Sequence, residues 1–171
     1  MKFDFKDMYD YDRWLVDYDD AQGYEERYLR YCREFARKTE FPNLIVEEVE
    51  MVTGGMFSKE RTPAVVVSFK KSTLKGLGIY FRPQRFGNLV HYSLIKTVDR
   101  GLWSAFTGKH GEDKIEQMID KLKNFAQIDE FFSLDGLGNL IFTKALMELD
   151  PEFKEMKSLM SKAKDRGRYS K

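Results

Sequence analysis

A chain of 171 residues with 42% hydrophobic and 33% charged side chains is long enough to bury one sizeable core. Only four prolines and 15% aromatics exclude wholesale disorder, and no apolar run approaches the ~20 residues that span a bilayer, so no membrane partner is expected. The net charge is +1 and Cys32 is the single cysteine, which excludes an internal disulfide and fits a reducing, cytoplasmic setting.

The first residues, MKFDFKDMYDYD, are acidic and lack the apolar stretch of a secretory signal. Met8, Tyr11, Trp14, Leu15 and Tyr18 recur at three- and four-residue steps, which predicts a short helix over 3–18 with its Asp side chains on the other face. The Asp spacing is not that of a calcium loop, and no metal is expected there. A second helix is predicted from about Asp20 to Lys38, with Tyr24, Tyr28, Tyr31, Cys32, Phe35 and Ala36 in register. Cys32 falls on that apolar stripe as a small buried hydrophobe.

Four strands follow. They are Asn43–Val52, Pro63–Lys70, Leu77–Arg82 and Leu89–Val98, joined by a Gly-rich connection and by turns at Lys71–Gly76 and Pro83–Asn88. Short connections between consecutive strands predict an antiparallel meander. Helices are then predicted over Glu112–Phe125 and Leu140–Leu149, separated by a break at Asp135-Gly136-Leu137-Gly138-Asn139. The Leu140–Leu149 segment is apolar nearly all round and is expected to be well buried. Two Gly-Leu-Gly triplets, at 76–78 and 136–138, have dissimilar flanks and read as coincidence. Asp150-Pro151 looks like an N-cap followed by the first position of a last helix. A basic tail, 162–171, closes the chain. The expected class is α+β, a single domain in which a four-stranded, mainly antiparallel sheet (about 43–98) is packed by N- and C-terminal helices.

Charge is segregated along the chain. Residues 51–110 hold ten Lys/Arg against two acids, while 1–50 hold eight against fourteen. Such segregation creates local potentials unless acidic and basic segments neutralise one another within the fold. Within the basic stretch, Tyr80, Arg82, Arg85 and Phe86 lie on and beside one strand, with Lys70, Lys71 and Lys75 in the adjacent turn. Cations along a backbone path with aromatic faces for stacking are what single-stranded nucleic acid requires. Phe81 shares a face with Leu77 and Ile79 and is assigned to the core.

The expected function is therefore non-catalytic binding of nucleic acid, single-stranded or RNA, or of a nucleic-acid–protein complex. The alternative is a regulatory or inhibitor protein that grips a protein partner through Tyr9, Tyr11 and Trp14, with self-association between acidic and basic surfaces as one form of it. No catalytic residue or cofactor is assigned. Phosphate-binding glycine loops, Cys/His metal spacings and nucleophile elbows are absent. Glu47, Glu48 and Glu50 with Lys70 are the nearest approach to a carboxylate nuclease site, and their spacing matches no motif.

Overall fold

The computed structural model describes Phe3 and residues 7–53, 60–99 and 122–158. The predicted helix at 112–125, apart from its last residues, and the basic tail at 162–171 lie outside them. The elements in order are β1 (Met8–Asp17), α1 (Tyr24–Lys38), β2 (Leu44–Thr53), β3 (Glu60–Phe69), β4 (Gly78–Phe86), β5 (Leu89–Thr97) and α2 (Phe125–Leu149), and the described residues 151–158 that follow are helical. The class is α+β: a five-stranded antiparallel sheet, order β1-β5-β4-β3-β2, packed against helices.

The fifth strand is the segment expected to be the first helix. In β1, Trp14 and Val16 share one face, pointing to the helices, and Tyr18 beyond the strand packs against the same core; Tyr11, Arg13 and Leu15 point the other way. The steps from Trp14 to Tyr18 satisfy both a period of two and a helical turn, and long-range pairing with β5 settles the conflict. Leu15, expected on the apolar stripe, is exposed. A bulge between Met8 and Asp10 inserts Tyr9 and turns its ring into the core.

From β1 at one edge, α1 carries the chain over one sheet face to β2 at the other edge. The meander β2-β3-β4-β5 then returns to β1. Helix α1 buries Tyr28, Cys32 and Ala36, one side chain per turn. Burial pushes the Cys32 thiol pKa well up, as suits an inert core residue. The covered face contributes Val65, Val67, Ile79, Phe81, Tyr92 and Leu94 to the same core. The β4–β5 turn is tighter than expected: Phe86 pairs with Leu89, leaving only Gly87 and Asn88 between them. Gly87 supplies the left-handed φ of 64° that such a turn needs.

Helix α2 runs unbroken through the predicted stop at 135–139. Asn124 caps it, its side chain accepting from the Gln127 N–H at 3.0 Å, so Phe125 begins a helix instead of ending one. Inside, Asn139 Nδ2 donates to Asp135 Oδ2 one turn earlier, at 3.2 Å. The two Gly-Leu-Gly triplets fall in unrelated settings, one at the start of β4 and one inside α2, and two of their glycines have separate packing reasons. A Cβ on Gly138 would lie 2.9 Å from Ile79 Cγ2, so glycine is what lets α2 approach β4. Gly76 has φ 71°, and a Cβ there would lie 2.7 Å from the Asp99 nitrogen. Gly136 faces open space. Gly138→Val is accordingly expected to cost about 1–3 kcal/mol by overpacking. In dilute solution, where the chain is unassociated, Gly136→Ala is expected to stabilise by up to about 1 kcal/mol through helix propensity. Thermal denaturation of the two variants checks the contrast; equal effects would contradict the packing described.

The last expected cap is borne out. Asp150 ends α2 and starts 151–158, its Oδ1 accepting from the Glu152 N–H at 2.9 Å and its Oδ2 from the Trp14 indole at 2.6 Å. Among the described residues, no helix is long and apolar enough to cross a membrane.

Candidate nucleic-acid interface

Strand alternation assigns each charged residue of the sheet to one face. On the helix-covered face, Arg85 pairs with Glu25 of α1 at 3.4 Å, Arg33 pairs with Glu48, and Arg61 pairs with Glu50 at 2.9 Å. Lys96 is 3% exposed there and bridges Asp10 of β1 and Asp135 of α2, each at 2.9 Å. Burial opposes its charge, but the hydrogen bonds and charges of Asp135 and Asp10 prevail, and the ammonium pKa is raised. Among the described residues, the basic middle of the sequence is thus largely neutralised by the protein's own carboxylates. Glu47 points away from Glu48 and Glu50, so those three do not converge on one site. Among the described residues, no group of three or more His, Cys, Asp or Glu side chains is placed to hold a metal ion.

The predicted site residues therefore separate. Lys70, Lys71 and Lys75 stand exposed on the β3–β4 turn, where Lys75 meets Asp99 at 3.3 Å. Glu130 of α2 anchors that turn by accepting from the Thr73 N–H and hydroxyl and from the Ser72 hydroxyl. Phe86 is exposed at the far end of β4, roughly 30 Å away at strand rise. Between them, Tyr80 lies on the open face as expected but is buried, its ring edge-on to Phe3 at 5.6 Å. It offers no stacking surface in this arrangement, and Arg85 belongs to the opposite face. Of the expected protein-contact residues, Tyr9 is buried against Phe131 and Trp14 packs edge-on to Phe153 at 4.9 Å. Only Tyr11 remains exposed.

What the open face does gather lies at its β1–β5–β4 end. Register places Arg13 beside Ser93 and Ser93 beside Arg82; the next row is Leu15, His91 and Gln84, and the last ends on Phe86. Two strand spacings put the Arg13 and Arg82 backbones about 10 Å apart. Arg82 Nη2 donates to Gln84 Oε1 at 2.6 Å and meets Glu60 at 3.4 Å, while Gln84 Nε2 donates to the same Glu60 oxygen at 2.9 Å. Tyr11 Oη lies 3.1 Å from His91 Nε2 and 3.4 Å from Ser93 Oγ. Arg13 makes no ion pair among the described residues. An open groove of about 510 Å³ is lined by Arg13, Trp14, Leu15, Phe86 and His91. Burial, then the charges of Arg82 and Arg13, lower the His91 pKa, so at neutral pH it is an uncharged ring with a nitrogen to share.

Comparison with known protein families, with curated proteins and with solved structures finds no match for this chain. The site therefore rests on its own chemistry: two guanidinium groups, an imidazole, a phenol and an exposed phenyl ring on one sheet surface. Sequence reasoning included Arg82 and Phe86 but missed Arg13, Leu15 and His91. Alternation in Tyr11-Asp12-Arg13-Trp14-Leu15-Val16 was the available signal, hidden by the competing helical period.

Proposed function

We propose that the protein is a non-catalytic binder of single-stranded nucleic acid, working through the open sheet face around Arg13, Arg82 and His91. The observation that carries this is the placement of Arg13 and Arg82 on either side of Ser93, with the exposed Phe86 ring two residues along β4 from Gln84. The Arg13 guanidinium, without an ion pair among the described residues, can take phosphate oxygens directly, whereas Arg82 must first exchange Glu60 for them; an exposed phenyl ring takes a base face without selecting among bases. The Tyr11 hydroxyl and His91 ring add hydrogen-bonding groups between them. The exposed Lys70, Lys71 and Lys75 lie roughly 30 Å from Phe86, outside the cluster around Arg13 but within the span of a longer strand. The rival reading through Tyr9, Tyr11 and Trp14 has less support, because two of its three anchors are held by the fold itself.

Fluorescence anisotropy with labelled ten-nucleotide single strands at several salt concentrations tests the proposal. Binding should weaken with salt, and Arg13→Ala should make the log–log slope shallower by about 0.7, one phosphate contact on a single strand. Phe86→Ala should weaken binding roughly 5- to 100-fold, the range for one stacked base. Absence of binding at low salt, or binding indifferent to both substitutions, would overturn it.

A further inference from the structure

Helix α2 buries Phe131, Leu134, Gly138, Ile141 and Ala145 against the sheet and α1. Its opposite side carries large apolar residues among the charges, where a surface helix is mostly polar. Phe125, Phe132 and Leu140 are 83%, 48% and 45% exposed. With Asp129 and Gly136 they follow the four- and three-residue steps of one helix face. Gly136 sits at the middle of that stripe with nothing within 4 Å of a Cβ.

The stripe is symmetric about Gly136. Phe132 lies four residues before it and Leu140 four after. Phe125 lies eleven before and Met147 eleven after, while Asp129 and Thr143 each lie seven away. Beside Thr143, exposed Lys144 leans along the rim, its Nζ 5.9 Å from the Phe35 ring centre. A surface that reads alike in both directions, with opposite charges toward its two ends, is self-complementary under a two-fold axis.

We infer that α2 is the interface of an antiparallel homodimer, a second copy of this chain packing α2 against α2 with the axis at Gly136. Phe132 then meets the other copy's Leu140, in both directions. Phe125 lies against the outer edge of the other copy's Met147, which is half-buried against its own core. Glycine at the crossing lets the helix axes approach to about 8 Å, the close end of helix packing. Asp129 pairs with the other copy's Lys144 along the rim, since a helical lysine points back toward the N-terminal turn. One helix pair is a small interface, so the expected Kd is on the order of 10 μM. The axis lies away from the open sheet face, so dimerisation and nucleic-acid binding are independent.

Sedimentation of the full chain from about 1 to 300 μM, far above and below that Kd, provides the test. A concentration-dependent dimer is expected. Phe132→Glu or Leu140→Glu, both at exposed positions, should weaken it at least tenfold while the circular dichroism spectrum is kept. Asp129→Lys should weaken it, and adding Lys144→Asp should restore it to within about threefold, as charge exchange across one pair requires. A monomer at every concentration, a dimer indifferent to Phe132→Glu, or no rescue by the charge exchange would each overturn the inference.

Discussion

Lys96→Met is expected to cost about 3–5 kcal/mol, the range seen when one partner of a buried ion pair is removed. The side chain sits where β5 passes beneath α2, holding Asp10 of β1 and Asp135 of α2 at 2.9 Å each. Methionine fills similar space but leaves both carboxylates facing an apolar group. Asp135 would keep its bonds from Asn139 and from Tyr9 Oη at 3.4 Å, whereas Asp10 would lose the only ion pair described for it. In a domain of this size the loss corresponds to a Tm lower by about 6–20 °C. Urea unfolding at pH 7 measures it as a lower midpoint at unchanged slope. Adding Asp10→Asn and Asp135→Asn to Lys96→Met should recover part of the loss, since the unpaired charges are what is costly. A loss under about 1 kcal/mol would show that the triad is no more than a surface pair in its energetics.

Alkaline unfolding should be the protein's sharpest response to solution conditions. Burial, the largest cause in each case, raises the pKa of the Cys32 thiol and of the Tyr28, Tyr9 and Tyr92 phenols. Burial likewise lifts Tyr18 to about 12. Tyr28 donates to the Ser93 carbonyl at 3.1 Å, and the Tyr18 and Tyr92 hydroxyls lie 2.9 Å apart. All these groups keep in the folded state protons that the unfolded chain releases above its ordinary pKa values of 9.0 for Cys and 10.0 for Tyr. Stability must therefore fall as pH rises through that range. Lys96 acts with the same sign: its stabilising charge is fully present below 10.5 and is lost as pH climbs through its raised value. Each retained proton costs about 1.4 kcal/mol per pH unit, so Tyr9, Tyr28 and Tyr92 together remove roughly 4 kcal/mol per unit. Unfolding near pH 11 is expected, with the phenolate absorbance of these buried rings appearing in the same step as the loss of helical dichroism. Ionisation of Tyr9, Tyr28 and Tyr92 near pH 10 with the helices intact would refute their burial.

How much of this was legible before the structure varies by element, for physical reasons. Helix α1 was readable because one apolar stripe agreed with an acidic first turn and a basic last one. The cap at Asp150 was readable because Asp-Pro fixes a helix start almost by itself. Strand β1 was not, since its aromatic spacing fits two periods and the deciding interaction lies some eighty residues away on β5. The break expected at 135–139 weighed two glycines against the helix. Their propensity cost, about 1 kcal/mol each, is outweighed by burial of Leu134, Leu137 and Ile141 and by the close approach to Ile79. At the candidate interface, the alternation of β4 put Tyr80 and Arg82 on one face correctly. That Phe3 lies over Tyr80, and that Glu25 takes Arg85, are facts about chain crossings that no local pattern encodes.

Strand β1, which precedes the other described strands in the chain, is also the one that must wait longest for its neighbour. The β1 residues find partners 72 to 89 positions later, whereas β4 and β5 meet across a two-residue turn. Closing that span costs about 3 kcal/mol more chain entropy than closing the turn. Until Leu89–Thr97 emerges, Tyr9, Trp14 and Val16 have no sheet to cover, and a nascent chain halted before that point exposes them to other chains. Trimming the first seventeen residues would instead strip β5 of its outer partner and bare its hydrogen-bonding edge, a template for aggregation. The acidic beginning of the sequence is therefore the closing stave of the sheet.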